Sequence, residues 1–161
     1  MPFPSPNERT RLLIRGATAD DLETLVALWL RSVQATHTFL TEEDIASLLP
    51  DVRAALQSDQ LELWVCAVDP NTIVGFMGLA GQGLEALFLD PVHLREGIGR
   101  RMVAHAIALK GELTVDVNEQ NPAAIRFYQA CDFEIEGRSA VDSAGRTFPI
   151  LHMRRKQAPA E

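Results

Sequence analysis

A short glycine-containing segment, Glu96-Gly97-Ile98-Gly99-Arg100, is the part of the sequence whose residue types most directly suggest chemistry. Glycine lets a bound group approach the backbone closely, so successive N–H groups at the start of a helix can point toward one anion. Arg95 and Arg101 add positive charge beside it. The segment therefore predicts a pyrophosphate site, and the alternatives are an ordinary tight turn or a solvated helix start.

Two common nucleotide sites do not match this segment. A dinucleotide-binding fingerprint has a third glycine where this chain has Met102. A nucleoside triphosphate loop has Gly-Lys-Ser or Gly-Lys-Thr, and this segment has neither. The segment is then either an anion cradle built from backbone groups or an ordinary tight turn between a strand and a helix.

The apolar pattern places this segment between a strand and a helix. Strands are predicted over residues 12–15, 63–68, 73–79, 84–89, 113–117, 133–139 and 148–153. Helices are predicted over residues 18–35, 41–49, 99–109 and 121–130, with a separate helical stretch after Pro50. The order βαα-βββ-α-β-α-ββ predicts an α/β protein, in which a mixed sheet carries helices on its faces.

Length and composition predict one domain. The chain has 161 residues, of which 47% are hydrophobic, enough for one well-buried core. We predict a flexible leader over residues 1–9, a single domain over residues 10–156 and a tail over residues 157–161. The net charge of −7 argues against a nucleic-acid partner, because phosphate binding requires clustered basic residues.

The cysteines and the apolar segments indicate the compartment. Cys66 and Cys131 have neither metal-site spacing nor a disulfide framework, so we expect reduced thiols and no bound metal. No signal sequence and no apolar run of membrane-spanning length is present, which predicts a cytoplasmic protein without a membrane partner.

Two separated motifs carry a family resemblance. Strand 84–89, Asp90-Pro91 and the Gly-x-Gly turn are followed by Val117-Asn118-x-x-Asn121-x-x-Ala124-x-x-Phe127-Tyr128-x-x-x-x-Phe133. Together they resemble the GNAT superfamily of N-acetyltransferases, which implies a mixed parallel and antiparallel sheet of about seven strands and about four helices. Residues 112–139 and the Ala35-Thr36-His37 loop also resemble the bacterial YjaB-like branch, which implies a protein lysine as a candidate acceptor.

The resemblance implies acetyl-CoA as the acyl donor. In this family the glycine segment binds the CoA pyrophosphate, and strand 86–89 separates from strand 113–117, so that the pantetheine arm lies in the gap. The residues implied for cofactor binding are Leu87, Phe88, Leu89, Arg95, Glu96, Gly97, Ile98, Gly99, Arg100, Asn118, Asn121 and Tyr128. Asn121 is also a good helix N-cap without any ligand.

The resemblance also implies three catalytic residues. Tyr128, the only tyrosine, would protonate the departing thiolate, and a core aromatic is the alternative. Glu85 would take the proton of the attacking amine, and an exposed strand carboxylate is the alternative. His37 would serve as a base or an acceptor contact, and a hydrogen bonder that fixes its loop is the alternative.

Two positions depart from the family pattern. Leu94 stands where the family commonly has glutamine or arginine, so phosphate binding would depend on the backbone. Asp132 replaces the glycine that usually precedes Phe133, which predicts a strained or reshaped helix end.

These observations predict direct transfer of an acetyl group from acetyl-CoA to a primary amine in a ternary complex, with an oxyanion held by backbone N–H near Leu87. The acceptor would be a protein lysine or a small cationic amine, and the protein a monomer or homodimer. A non-catalytic acyl-CoA-binding regulator or sensor is the alternative, and an interaction module that binds no CoA is a third hypothesis.

Overall fold

The computed structural model describes residues 12–94 and 96–155. The predicted leader and tail, three residues at the ends of the predicted domain and Arg95 lie outside the described residues.

The described residues form seven strands, four α-helices and two short 3-10 turns. The strands are β1 (Leu13–Gly16), β2 (Glu62–Asp69), β3 (Thr72–Ala80), β4 (Gly83–Leu89), β5 (Leu113–Asn118), β6 (Glu134–Ser139) and β7 (Ile150–Arg155). The helices are α1 (Leu22–Thr36), α2 (Glu42–Gln57), α3 (Ile98–Lys110) and α4 (Pro122–Ala130), and the 3-10 turns are Ala19–Asp21 and Pro91–His93. The predicted mixed sheet with helices on its faces is confirmed.

The strands form one sheet in the order β1-β2-β3-β4-β5-β7-β6. Every neighbouring pair is antiparallel except β4 and β5, which are parallel. Between these two fully described strands, pairing is confined to Gly83 with Thr114 and Leu84 with Val115. The sheet therefore opens beyond Leu84, as the resemblance implied.

A β-bulge marks the place where the sheet opens. Leu84 pairs with Leu79 of β3, whereas Ala86 pairs with Gly78, so Glu85 is an extra residue in β4. A bulge bends its strand and increases the local twist. Because pairing with β5 stops at Leu84, we infer that the bulge turns the rest of β4 away from β5.

Two hydrophobic cores cover the two faces of the sheet. The first packs α3 and α4 on the sheet and includes Met77, Leu84, Met102, Val103, Ala106, Val115, Val117 and Tyr128. The second packs α1 and α2 on the other face and includes Leu25, Leu28, Trp29, Val65 and Phe76, with Ala86 and Phe88 beside it. Each large buried side chain contributes about 1.5–3 kcal/mol, so both helical layers are held firmly on the strands.

The prediction that the helix breaks at Pro50 is wrong. Helix α2 continues through Pro50, although proline removes a backbone donor and crowds the preceding turn. Ile45 before it and Leu56 after it are both buried in the second core. We infer that packing on both sides of the proline keeps the two halves in one helix.

The last strand begins later than predicted. Strand β7 starts at Ile150, because the preceding residues continue the turn. The N–H of Phe148 donates to the carbonyl of Arg146 at 2.8 Å, and the N–H of Asp142 donates to the same carbonyl at 2.9 Å. These bonds hold the loop before β7 in a compact form.

Candidate active site

A cavity of about 650 Å³ lies where β4 and β5 separate. It passes through the sheet, since Val115 and Val117 belong to the first core while Ala86 and Phe88 pack beside the second. The predicted site residues on its wall are His37, Glu85, Leu87, Phe88, Leu89, Gly97, Gly99, Arg100, Asn118, Asn121 and Tyr128. The structure thus brings most of the predicted residues together around one opening.

Of the predicted cofactor residues that the structure describes, Glu96 and Ile98 do not line this wall. Ile98 is only 2% exposed and belongs to the first core, and the carboxylate of Glu96 lies 3.1 Å from Nδ1 of His93. A contact of the buried Ile98 with a ligand would therefore come from its backbone. Arg95 is outside the described residues.

The two glycines at the start of α3 are needed for different reasons. Gly97 has a φ of +81°, a left-handed conformation that favours glycine, and open space surrounds the position of an added Cβ. At Gly99 an added Cβ would lie 3.0 Å from Cζ of Phe127, so this glycine lets α3 pack closely on α4. Together with Arg100, the N–H groups and dipole of this helix start make one end of the cavity suitable for an anion.

Asn118 and Asn121 shape the turn between β5 and α4. Oδ1 of Asn121 accepts from the N–H of Ala124 at 3.1 Å, the N-cap bond of α4. Oδ1 of Asn118 accepts from the N–H of Gln120 at 2.8 Å. Both side chains have a structural role while they line the cavity, and the amide nitrogen of each is the group left for a ligand.

Tyr128 lines the cavity and is also part of the first core. Its ring contacts Phe127 and Phe133 edge-on, at centroid distances of 5.0 and 5.4 Å. Burial, with a smaller contribution from Cys131, raises the pKa of the Tyr128 phenol well above its ordinary value. The hydroxyl therefore stays protonated at neutral pH and is suited to donating a hydrogen bond.

The end of α4 holds Tyr128 in place. The N–H of Phe133 donates to the carbonyl of Tyr128 at 3.0 Å, and the N–H of Asp132 donates to Gln129 at 3.0 Å. This pair of bonds is a Schellman motif, accompanied by the usual apolar contact between its ends. Asp132 has a φ of +70°, which confirms the strain predicted at this position.

His37 caps the C-terminal end of α1 and lines the cavity. Its Nδ1 lies 2.8 Å from Oγ1 of Thr36, whose hydroxyl donates to the carbonyl of Ser32 at 2.7 Å. Because that hydroxyl has one proton, Nδ1 of His37 must be the donor to it, which leaves Nε2 unprotonated. Burial lowers the pKa of His37, so the ring is neutral at neutral pH.

Glu85 reaches the same cavity from the bulge in β4. Its Oε1 lies 2.6 Å from the position that a Cβ on Gly83 would occupy. The side chain therefore folds back over the glycine, and the bulge aims it differently from a residue in regular pairing. Glu85 and His37 are the two bases that the predictions identified on the cavity wall.

Sequence reasoning missed several cavity residues. Ser32 and Thr36 of α1 line the cavity, as do Asp116 of β5 and Phe127 of α4. The alternation of Asp116 with Val115 signals a strand with one polar face, but no local pattern indicates which groups lie opposite it.

Within the described ranges, no three His, Cys, Asp or Glu side chains lie together as a metal site. No helix in that part of the chain is both long and apolar enough to cross a membrane. The thiols of Cys66 and Cys131 are free, and burial raises the pKa of each.

Known proteins of one family are similar to this chain in sequence and fold. Residues 59–135 match the acetyltransferase (GNAT) domain. The chain is 44% identical to peptidyl-lysine N-acetyltransferase YjaB of Escherichia coli K12, over 87% of this chain and 94% of that protein. It is 32% identical to peptidyl-lysine N-acetyltransferase YiaC of the same organism, over 76% of this chain and 84% of that one.

A solved structure agrees with these sequence matches. The solution structure of the apo form of Escherichia coli YjaB superposes with a TM-score of 0.83 at 41% identity, covering 91% of this chain and 99% of the other. The extent of these matches, and the opened sheet with its glycine-led helix, lead to one conclusion: the chain belongs to the GNAT family and is an acyl-CoA-dependent N-acetyltransferase.

Proposed function

We propose that this protein acetylates lysine side chains of other proteins, using acetyl-CoA as the donor. The observation that carries the proposal is the cavity through the sheet, which has the glycine-led start of α3 at one end and His37 with Asp116 toward the opposite face. The names of the relatives, peptidyl-lysine N-acetyltransferases, support lysine as the acceptor.

The donor end fits the phosphates of CoA. The N–H groups at the start of α3 and the guanidinium of Arg100 supply positive potential, and the open space at Gly97 leaves the backbone accessible. The strand edges left unpaired beyond Leu84 and Val115 would bind the amide groups of the pantetheine arm. Leu94 on the cavity wall adds an apolar contact instead of a phosphate contact.

The acceptor end supplies a base. A lysine ammonium has no lone pair, so it must lose a proton before it can attack the thioester. We assign this step to Nε2 of His37, which the bond to Thr36 leaves unprotonated. Glu85, on the same cavity wall, is the second candidate for the base.

Tyr128 would act on the departing sulfur. Its protonated hydroxyl donates a hydrogen bond that stabilises the thiolate, and the raised pKa favours this role over complete loss of the proton. Backbone N–H near Leu87, beyond the bulge, is the proposed donor to the oxyanion. Attack is direct, without a covalent intermediate on the protein.

The test combines donor binding with turnover. We expect acetyl-CoA at 100 times its Kd to stabilise the protein by about 2.7 kcal/mol in thermal denaturation. Mass spectrometry of a lysine-containing peptide should then show a gain of one acetyl group that depends on acetyl-CoA. Stabilisation without acetylation of any amine would favour the acyl-CoA sensor, and no stabilisation would contradict both functions.

We also propose that the protein works in a bacterial cytoplasm. The relatives come from Escherichia coli, which supports a bacterial source. Fractionation of the source cells would test the location.

A further inference from the structure

Three side chains form a hydrogen-bonded chain across three neighbouring strands. Nδ1 of His152 on β7 lies 2.7 Å from Oδ1 of Asp116 on β5. Nε2 of the same ring lies 2.7 Å from Oγ of Ser139 on β6. A carboxylate only accepts, so Nδ1–H of His152 donates to Asp116, while Nε2 shares a hydrogen bond with the serine hydroxyl.

The register of the sheet brings Asp116 and His152 side by side. Asp116 and His152 are direct partners in the antiparallel pair of β5 and β7. Val115 and Val117 point into the first core, so Asp116 between them points to the opposite face of the sheet. That is the face on which α1 carries His37.

The three side chains are bonded in the same order as a Ser-His-Asp triad, but the opposite end of the triad faces the cavity. In a hydrolase triad the carboxylate is buried and the serine faces the substrate. Here the carboxylate is the exposed end: of the three hydrogen-bonded residues, which are all described, Asp116 lines the cavity. Its side chain is 63% exposed. The arrangement therefore presents a carboxylate, held at one oxygen, to whatever occupies the acceptor side.

Two cations on the neighbouring strands, Arg154 and Arg138, are engaged elsewhere. Nε of Arg154 lies 2.7 Å from Glu136, and Arg138 forms an ion pair with Glu119. Neither of these ion pairs involves Asp116, which is bonded to His152 instead. The bond to His152 uses Oδ1, so Oδ2 is the oxygen that can meet a cation arriving from the cavity.

We propose that Asp116 is the subsite for the alkylammonium group of the acceptor, and that His152 and Ser139 position it. This inference rests on the proposed function and names the group that selects a cationic amine. Oδ2 of Asp116 attracts and orients the ammonium, and the amine then loses its proton to the base before it attacks.

The first experiment separates charge recognition from catalysis. It compares two primary amines as acceptors: Nα-acetyl-lysine amide, which is cationic at neutral pH, and Nα-acetyl-4-aminophenylalanine amide, whose aromatic amine is uncharged. With Asp116→Asn we expect the KM of the lysine probe to rise about fivefold, the upper end of an exposed ion pair. The KM of the aromatic probe and that of acetyl-CoA should not change.

Asp59→Asn is the matched control. It removes the same charge from an exposed position that does not line the cavity. We expect it to leave the KM of the lysine probe unchanged. An equal rise of KM with both probes in Asp116→Asn, or no rise with either, would overturn the inference.

Ser139 provides a test of positioning. Ser139→Ala removes the hydroxyl from His152, and we expect about a twofold rise in the KM of the lysine probe alone, within the range of an exposed ion pair. Ser139→Thr keeps a hydroxyl and should restore the wild-type value. Failure of threonine to restore it would contradict the positioning role.

Binding without turnover distinguishes this inference from the proposed function. Calorimetry with the CoA-bound protein would compare Nα-acetyl-lysine amide with its uncharged analogue, Nα-acetyl-norleucine amide. Tighter binding of the lysine probe that is lost in Asp116→Asn supports the subsite even where no acetylation occurs. Equal binding of the two probes by the wild-type protein would overturn it.

Discussion

Thr36 determines which nitrogen of His37 is free. The Thr36 hydroxyl has one proton, which it donates to the backbone one turn earlier in α1, so the neighbouring imidazole must donate from Nδ1. The neighbouring side chain in the sequence thus sets the tautomer of the proposed base.

Replacement of Thr36 by valine should weaken the proposed base without removing it. Valine has the same shape as threonine but no hydroxyl, so both tautomers of His37 become accessible. We expect kcat/KM to fall about tenfold, less than the full effect of a general base. Thr36→Ser should retain most of the activity, and an equal loss in both variants would indicate a packing effect. Steady-state kinetics with a lysine peptide measures this.

The pH dependence of activity should reflect the burial of His37. Its folded-state pKa lies below the ordinary value of 6.5, so kcat/KM should fall on the acidic side with a midpoint below about 6.5. Burial also gives stability that is present above the ordinary pKa and lost as the pH falls through the folded pKa, because the unfolded state binds the proton more readily. His37→Asn should abolish the acidic limb, and an unchanged limb would assign it to another group such as Glu85.

Removal of the Tyr128 hydroxyl should impair chemistry more than binding. In Tyr128→Phe the ring contacts with Phe127 and Phe133 remain, so we expect the fold to be kept. The kcat should fall roughly 10²-fold, typical of a lost donor to a developing charge, while the Kd of acetyl-CoA stays the same. Calorimetry and single-turnover kinetics separate the two quantities, and a wild-type kcat would refute the role of the hydroxyl.

The two glycines of α3 should respond differently to alanine. Gly99→Ala forces its Cβ against Phe127, so the free energy of unfolding should fall by about 1–3 kcal/mol. In Gly97→Ala the Cβ enters open space, with strain of about 1–2 kcal/mol from the positive φ. We expect Gly97→Ala also to weaken acetyl-CoA about tenfold, equal to about 1.4 kcal/mol. Urea denaturation and calorimetry measure both effects, and unchanged binding would exclude this helix start as the anion site.

Relief of the strain at Asp132 should stabilise the protein. Asp132→Gly removes the steric penalty at a φ of +70°, and we expect a gain of about 0.5–1 kcal/mol in the free energy of unfolding. Asp132→Ala, which has no short polar side chain, should be less stable than the natural protein. Thermal denaturation measures the stability of both variants. A gain in stability with alanine would show that relief of backbone strain is not the cause.

The sequence predicted those parts of the fold and cavity that depend on local patterns. Apolar periodicity and capping residues located the strands and helices, and Gly97 was identified from its place between a strand and α3. Asp132 is identified because the resembled family usually has glycine at this helix end. Each of these features depends on residues only a few positions apart.

Features that depend on tertiary packing could not be predicted in this way. The extra residue Glu85 lies inside an apolar run, and the pattern of β4 alone does not show that a bulge interrupts it. Asp116 and His152 are separated by 36 residues and meet because β5 and β7 pair. Helix α2 continues through Pro50 because buried residues on both sides outweigh the local preference.

The parting of β4 from β5 divides the sheet mechanically. Strands β1 to β4 form one part of the sheet and strands β5 to β7 the other. In the described residues, the two parts are joined by two residue pairs between β4 and β5 and by the helices that pack on both. A donor molecule seated between the two parts would act as a temporary eighth strand, supplying the ladder bonds that the chain leaves unmade. Each catalytic cycle would then stiffen the sheet when the donor enters and loosen it when CoA departs. The same interruption in strand pairing would give the protein its binding slot and would make the stiffness of the sheet depend on the donor.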